Sequence, residues 1–310
     1  MYIEIMNRGL VKFYSNLALL CTAVISGLSF VAQKAGMEFV GPFTFNTLRA
    51  LLGALSLLPI ISFLKIKFLS NDERTIQEKS VQHKTLARGG FLCGCMLFLA
   101  LTINQFCMIY APAGKAGFIT SLYIIFVPLI AVFLKHKLRI NVKLSVALAL
   151  MGLYFLCYKQ GTPVALSDIF LLISSFFFAL HIIVVGRYSQ KTHALKLACV
   201  QFVTVGLLSL PLMLIMEKPS VEAVIAGLSP ILFSGVIVTG LAYTMQILGQ
   251  KNTTPVIASL ILSLESVFAV VGGILFLGES LSVKEILGCV LMIAAIILSQ
   301  IRIPRRRKRV

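Results

Sequence analysis

Ten apolar stretches, each about 20 residues long, recur along this chain and restrict the folds that it can adopt. An α-helix rises about 1.5 Å per residue, so such a stretch crosses the roughly 30 Å hydrocarbon core of a bilayer. Only 13% of the 310 residues are charged, against roughly 25% in soluble domains. The sequence therefore predicts an all-α integral membrane protein. The predicted transmembrane helices are 15–35, 43–64, 89–111, 114–134, 142–158, 168–186, 194–216, 228–249, 255–277 and 284–303.

Lysines and arginines are distributed unevenly between the two sides of these helices. Of the 28, 22 fall on the side that holds both termini, 5 fall on the other side, and Arg49 lies within a helix. The positive-inside rule then predicts a multi-pass protein of the cytoplasmic (inner) membrane with both termini in the cytoplasm. Residues 65–88 are predicted as a cytoplasmic loop and residues 304–310 as a basic tail that attracts the lipid bilayer. We interpret the net charge of +17 as this topology signal and predict no nucleic-acid partner.

The second half of the chain repeats the pattern of the first half. At an offset of 152 residues, "LLCTAVISGLSF" (19–30) aligns with "LLISSFFFALHI" (171–182). At an offset of 142 residues, "SLYIIF" (121–126) aligns with "SLESVF" (263–268). The order of these matches along the chain indicates an internal repeat.

The two repeats are predicted to span residues 15–158 and 168–303, with five transmembrane helices in each. Because five is an odd number, the second repeat must lie in the membrane in the opposite orientation. Inverted repeats around a site near the middle of the membrane are typical of secondary transporters. If the two repeats exchange conformations, the site opens to one side of the membrane and then to the other.

Four segments carry a resemblance to a known family. They are "SGLSFVAQKAG...GPFTFNTLRALLGALSLLP" (26–59), "AGFITSLYIIFVPLIAVFL" (116–134), "FALHIIVVGRYSQ" (178–190) and "IASLILSLESVFAVVGGILFLGE" (257–279). With them, nearly the whole chain resembles the EamA family of the drug/metabolite transporter superfamily as two EamA repeats. The resemblance implies a central cavity lined by helices of both halves and transport of amino acids or other small metabolites, usually export. One departure is Ser266, which occupies a position where the family usually has proline.

Glu265 lies in "ILSLESVFAV", within an apolar run from Pro255 to Leu277 that holds no other charge. An ionisable group inside a membrane span is costly to bury and is by default a candidate for function. Its carboxylate either faces a cavity, where it binds a substrate amine or a proton, or bonds polar groups between helices. Arg49 is the only basic residue inside a predicted span, and its repeat mate is the neutral Gln201.

Other polar side chains interrupt the apolar runs, and each is open to two interpretations. They either join helices by hydrogen bonds or contact a substrate. Asn104 and Gln246 are repeat mates at the offset of 142 residues, as are Tyr123 and Glu265. The candidate substrate-binding or coupling residues are Glu265, Tyr123, Asn104, Gln246, His181 and Arg49.

Helix-breaking residues mark candidate hinges. Pro128 falls within the fourth predicted helix, and Gly272 and Gly273 fall at nearly the matching place in the ninth. Paired proline and glycine interruptions in corresponding helices point to a transport site and its hinges. In the tenth helix, the small residues Gly288, Ala294 and Ala295 are the predicted contact of a homodimer.

The chain lacks the motifs of an enzyme or a metalloprotein. It has no GxSxG, HExxH or Walker motif, and its seven cysteines are scattered. We therefore predict no enzymatic activity, no cofactor and no metal site. The predicted function is secondary transport of small polar metabolites, such as amino acids, by alternating access, with export favoured over import. A non-transporting membrane scaffold or regulatory subunit, and a channel, are the alternatives.

Overall fold

The computed structural model describes residues 2–68, 76–111, 113–135, 138–157, 165–277 and 282–301. Within these ranges the secondary structure is helical and contains no strand. The long helices are α1 (Tyr2–Gly36), α2 (Pro42–Phe68), α3 (Ile76–Cys107), α4 (Ala113–Ser121 and Tyr123–Phe133), α5 (Ile140–Cys157), α6 (Leu166–Tyr188), α7 (Ala194–Glu217), α8 (Leu228–Gln250), α9 (Pro255–Leu262 and Glu265–Leu277) and α10 (Val283–Gln300). A short helix, Val221–Ala226, connects α7 to α8.

These helices confirm the prediction of an all-α membrane protein. Among the described residues, nine helices are long and apolar enough to cross a membrane, and Ile140–Phe155 in α5 is a shorter apolar helix. The ten helices of the structure correspond in order to the ten predicted spans.

The segment 65–88 differs from the predicted loop. Helix α2 extends to Phe68 and α3 begins at Ile76, so most of the segment is helical. The sequence "IQEKSVQHKTLAR" is polar but rich in strong helix formers such as Gln, Glu, Lys, Leu and Arg, which explains why a polar segment continues the helix. Residues 69–75 and the tail 304–310 lie outside the described residues.

The packing of the helices follows the inverted repeat. Helix α1 packs against α8 and α9, and its repeat mate α6 packs against α3 and α4. Helix α2 packs against its mate α7, and α5 packs against its mate α10. This exchange of partners is what two repeats related by a pseudo-two-fold axis require. The two five-helix repeats therefore interlock, and the space between α1, α3, α4, α6, α8 and α9 becomes the centre of the protein.

The small residues of helix α10 pack against other helices of the same chain. A Cβ atom added at Gly152 of α5 would lie 2.8 Å from the carbonyl oxygen of Gly288, so the two backbones pack closely. Ala295 is fully buried in the core cluster that also contains Leu153 of α5. Because α5 covers Gly288 and Ala295, these two residues do not present the homodimer contact that the sequence suggested.

Two helices are interrupted at positions related by the repeat. Helix α4 breaks at Leu122 and α9 breaks at Ser263 and Leu264, and residues 122 and 264 differ by the repeat offset of 142. At both breaks a backbone N–H bonds the carbonyl three residues earlier: Leu122 to Ile119 and Leu264 to Ile261, each at 3.2 Å. The breaks immediately precede the repeat mates Tyr123 and Glu265.

The breaks do not coincide with the predicted hinge residues. Pro128 lies inside the helix Tyr123–Phe133, and Gly272 and Gly273 lie inside Glu265–Leu277. Gly272 instead allows close packing, since a Cβ atom there would lie 3.3 Å from the Leu28 side chain.

Candidate functional site

A pocket lies at the centre of the structure between helices of both repeats. The first repeat contributes Thr22, Ser26, Ser29, Phe30 and Gln33 from α1, Arg49 from α2, Leu101 and Asn104 from α3, and Thr120 and Tyr123 from α4. The second repeat contributes Phe178 and Ile182 from α6, Val238, Tyr243 and Gln246 from α8, and Leu262 and Glu265 from α9. The wall thus combines one carboxylate, one guanidinium, several amides and hydroxyls, and aromatic and aliphatic faces.

Glu265 reaches this pocket from the break in α9. It is the first residue of the second helical segment, where the helix dipole favours a negative charge. Its Oε1 accepts a hydrogen bond from Ser121 Oγ at 3.3 Å. Ser266, at the departure from the family pattern, donates its hydroxyl to the Ser263 carbonyl at 2.8 Å and so bonds a carbonyl at the break. The carboxylate therefore lies at the junction of the two repeats.

Helix α1 approaches the same turn of α9 through Gly27. A Cβ atom added at Gly27 would lie 2.5 Å from the Glu265 carbonyl oxygen and 2.9 Å from the Ala269 nitrogen. Both are backbone atoms, which cannot move aside as a flexible side chain can. Glycine at this position lets α1 and α9 touch, and it thereby fixes the depth at which Glu265 enters the pocket.

Tyr123 faces Glu265 from the equivalent break in α4. Its side chain is buried and interacts electrostatically with the Glu265 carboxylate. The two repeat mates therefore meet at the centre of the protein, as expected for residues near a pseudo-two-fold axis.

Arg49 lines the pocket from α2 and is buried, with 2% of its surface exposed. Its Nη1 donates to Gln33 Oε1 at 3.1 Å, and the guanidinium lies 5.6 Å from the centre of the Phe45 ring. Arg49 and Glu265 share the pocket, but no ion pair within 4.0 Å joins these two described residues.

Asn104 and Gln246 both contribute to the wall, on α3 and α8. Asn104 Nδ2 donates to Thr120 Oγ1 at 2.6 Å, which fixes the amide against α4. Since the two residues are repeat mates, the pocket carries a carboxamide on each of two equivalent helices.

His181 lies behind the pocket wall rather than in it. Its Nε2 is 3.1 Å from Gln201 Oε1, and its ring lies 6.1 Å from the ring of Tyr243, which does line the pocket. Burial is nearly complete, with 1% of the His181 surface exposed. Tyr243 therefore stands in the place where the sequence suggested His181.

Helix α1 contributes a polar stripe that is not among the residues predicted from the sequence. Thr22, Ser26, Ser29 and Gln33 follow a spacing of four, three and four residues, which places them on one face of a helix. Gln33 Nε2 donates to Ser29 Oγ at 2.9 Å, and Thr22 Oγ1 donates to the Ala242 carbonyl at 2.9 Å. This spacing indicates one polar helix face, but it does not by itself indicate a pocket, because serine and threonine also occur at ordinary helix interfaces within membranes.

Helix α8 enters the pocket through an irregular stretch. Residues Phe233–Ala242 form a π-helix, in which Thr239 Oγ1 donates to the Ser234 carbonyl five residues earlier at 2.8 Å. Tyr243 and Gln246 follow directly on the same helix. Wide helical turns of this kind occur frequently at functional sites.

Comparisons with known proteins agree with this architecture. The profile of the EamA-like transporter family matches residues 13–158 and 165–300. An "Uncharacterized transporter" of Archaeoglobus fulgidus is 28% identical over 302 residues, covering 96% of this chain and 89% of its own length. "Uncharacterized transporter YoaV" of Bacillus subtilis is 23% identical over 299 residues, covering 94% of this chain and 98% of its own length.

A solved crystal structure shares the fold, with a TM-score of 0.70 over 95% of this chain and 96% of the other, at 17% sequence identity. The family match covers both halves of the chain and agrees with the two interlocked repeats and their central pocket. The chain is a multi-pass membrane protein and belongs to the EamA-like transporter family of the drug/metabolite transporter superfamily.

Proposed function

We propose that this transporter moves small polar metabolites, such as amino acids, through the central pocket by alternating access, with export favoured over import. The observation that supports this most directly is the pocket itself. It combines charged, hydrogen-bonding and apolar side chains from seven helices of both repeats. A site shared by two inverted repeats is the arrangement from which alternating access arises.

The helix breaks support a mechanism in which the two repeats exchange conformations. Broken helices near the middle of a membrane are tolerated where they border a cavity. The breaks at Leu122 and at Ser263–Leu264 border this pocket and lie at matching positions of the two repeats. We propose them as the hinges.

We propose that the protein resides in the cytoplasmic membrane with both termini in the cytoplasm. The distribution of lysine and arginine, 22 against 5, supports this orientation. The relatives come from an archaeon and from bacteria, which is in keeping with a cytoplasmic membrane.

Glu265 is the proposed binding or coupling carboxylate. Two hydroxyl-bearing side chains of the described residues face it, since Ser121 donates to its Oε1 and Tyr123 interacts with the same carboxylate, but no ion pair joins it. Burying an ionised group is costly unless it is well bonded or paired, and the described residues supply no counter-charge. A substrate amine or a proton would supply the missing partner.

The first experiment is a thermal-stability screen of the purified protein against a library of amino acids, nucleosides and cationic drugs. A ligand present at 100 times its dissociation constant should stabilise the protein by about 2.7 kcal/mol. If a stabilising ligand loses its effect in Glu265→Gln but keeps it in Glu38→Gln, the carboxylate contacts the ligand. Glu38 is an exposed residue in the turn that follows α1, and its side chain has no hydrogen bond in the described structure.

Counterflow in proteoliposomes then separates a carrier from the two alternatives. A carrier shows saturable flux that is accelerated by substrate on the opposite side. A channel conducts without this acceleration, and a scaffold produces no flux. Absence of any flux, in protein that stays folded and inserted, would refute the proposed function.

A further inference from the structure

Arg49 has a pattern of contacts that its role in helix packing does not explain. Among the described residues it is the only lysine or arginine that is buried, and no carboxylate lies within 4.0 Å of it. A buried cation without a counter-charge is costly, and one hydrogen bond and one ring contact offset only part of that cost. The side chain lines the central pocket.

The hydrogen bonds of the guanidinium leave one edge free. Nη1 donates to Gln33 Oε1, whereas Nε and Nη2 are buried and have no partner in the described structure. Nε–H and one Nη2–H point in parallel along the same edge of the planar group. This edge matches the two oxygens of a carboxylate or a phosphate.

The surrounding residues hold the guanidinium in place. Gln33, which accepts from Nη1, is itself fixed by donating Nε2 to Ser29 Oγ at 2.9 Å. Gln105 Nε2 donates to the Gln33 backbone carbonyl at 3.3 Å. The ring of Phe45 lies over the guanidinium. The free edge is therefore oriented before any ligand arrives, which reduces the entropy lost on binding.

The second repeat has no equivalent cation. The repeat mate of Arg49 is Gln201, whose Oε1 contacts His181. The positive charge of the pocket thus comes from the first repeat, through Arg49, and its negative charge comes from the second repeat, through Glu265. A solute in the pocket consequently experiences a defined electrical polarity.

We propose that Arg49 is the anion-recognition residue of this pocket and that the transported solute carries an oxyanion, held side-on by Nε and Nη2. This inference rests on the proposed function and adds the charge of the substrate to it. The apolar wall, which includes Phe30, Phe178 and Ile182, accommodates the body of the solute. The oxyanion reaches the covered Nε and Nη2 atoms when the pocket widens during the transport cycle.

A set of compounds that share a phenyl ring on a two-carbon chain and differ in charge tests the inference. The set is 3-phenylpropanoate, phenylalanine, phenylalaninamide, 3-phenylpropanamide and phenethyl phosphate, and the readout is thermal stabilisation of the purified protein over a concentration series. Wild type, Arg49→Lys and Arg49→Gln are compared, with Lys218→Gln as a control that removes an exposed cation outside the pocket. Arg49→Lys keeps the charge and so remains informative if Arg49→Gln fails to fold.

The inference predicts that members with an oxyanion stabilise the wild type and members without one do not. Comparison of the carboxylates with the phosphate identifies the preferred oxyanion. Losing one charge-assisted hydrogen bond should weaken apparent binding to Arg49→Lys by at least about tenfold, while Lys218→Gln matches the wild type. The inference is overturned if no oxyanion-bearing member stabilises the wild type, if the amides bind as well as the acids, or if Arg49→Lys binds unchanged.

These outcomes are distinguishable from failure of the proposed function. Binding that depends on the oxyanion and on Arg49, in a protein that shows no counterflow, would leave the anion site intact and refute transport. Counterflow of a solute without an oxyanion, unaffected by Arg49→Lys, would leave transport intact and refute the anion site.

Discussion

Helix α2 depends on a carboxylate from a distant part of the chain. Its first residue, Pro42, has no N–H, and the preceding Gly41 has no side chain to act as a cap. Glu217, at the end of α7, supplies the missing acceptors. Its Oε1 accepts from the Phe43 N–H at 2.9 Å, and its Oε2 accepts from the Thr44 N–H at 2.7 Å and from Thr44 Oγ1 at 2.6 Å. The contact joins the two repeats at one end of the bundle.

We predict that Glu217→Gln destabilises the protein. The amide keeps one oxygen but turns its NH₂ group toward an N–H or hydroxyl donor, and it removes the negative charge from the helix N-terminus. Losing a capping interaction costs about 0.5–2 kcal/mol, and a hydrogen bond to a charged group is worth about 1.5–3 kcal/mol. Because Glu217 is half-buried and water replaces part of the loss, we expect a decrease of about 1–2 kcal/mol in the free energy of unfolding.

Thermal unfolding in detergent measures this effect. For a chain of this size, about 1 kcal/mol corresponds to a change of roughly 2 °C in Tm, so Glu217→Gln should lower Tm by about 2–4 °C. Glu38→Gln removes the same charge from the neighbouring turn and should change Tm by less than about 1 °C, as expected for an exposed residue. Equal shifts in the two variants would refute the capping role.

Gly41→Ala offers a second test of the same contact. A Cβ atom at residue 41 would overlap the Glu217 carboxylate, so the alanine should displace it and break the same hydrogen bonds. The double variant should then lose little more stability than either single variant, because both changes remove one interaction. Fully additive losses would show that the two residues act independently.

Three further predictions concern packing, pH and an ion pair. Gly27→Ala should lower the free energy of unfolding by about 1–3 kcal/mol, because the added Cβ would overlap the α9 backbone at Glu265. Gly9→Ala is the control in thermal unfolding: its Cβ would have no atom within 4 Å, so it should be neutral or stabilising by up to about 1 kcal/mol. Partial burial, and then two nearby lysines, lower the pKa of His193 from its usual 6.5. Below about pH 6.5 the unfolded state therefore binds more protons than the folded state, so Tm should fall as the pH is lowered. His193→Gln should make Tm less dependent on pH in this range. Asp168→Asn should lower the free energy of unfolding by about 1 kcal/mol, because Oδ2 accepts from the Ala165 N–H at 2.8 Å and pairs with the Lys115 ammonium at 2.7 Å. An unchanged Tm in thermal unfolding would show that water replaces both contacts.

Much of the fold follows from local sequence patterns. The ten helices are visible in the sequence because each apolar stretch must match the thickness of a bilayer. The repeat is visible because its two copies keep similar residues in the same order. The helical structure at 65–68 and 76–88 does not follow from polarity, because helix propensity does not depend on hydrophobicity.

The candidate site was only partly predictable. Glu265 and Arg49 stand out as charges inside apolar runs, and the structure brings both to one pocket. His181 stands out as a polar residue inside an apolar run but lies behind Tyr243. A sequence shows that a polar residue is inside a membrane span, but the rotation of its helix decides whether it faces a cavity or a neighbouring helix.

The helix breaks show the same division. Pro128, Gly272 and Gly273 were the visible helix-breaking residues, yet the interruptions lie at Leu122 and at Ser263–Leu264. Leucine is a strong helix former, so its presence does not predict a helix break. The sequence by itself determined the environment, the number of helices and the inverted repeat, because these depend on hydrophobicity and order along the chain. Tertiary structure alone decided the lining of the pocket, the free edge of Arg49 and the cap from Glu217, because these depend on contacts between helices far apart in sequence.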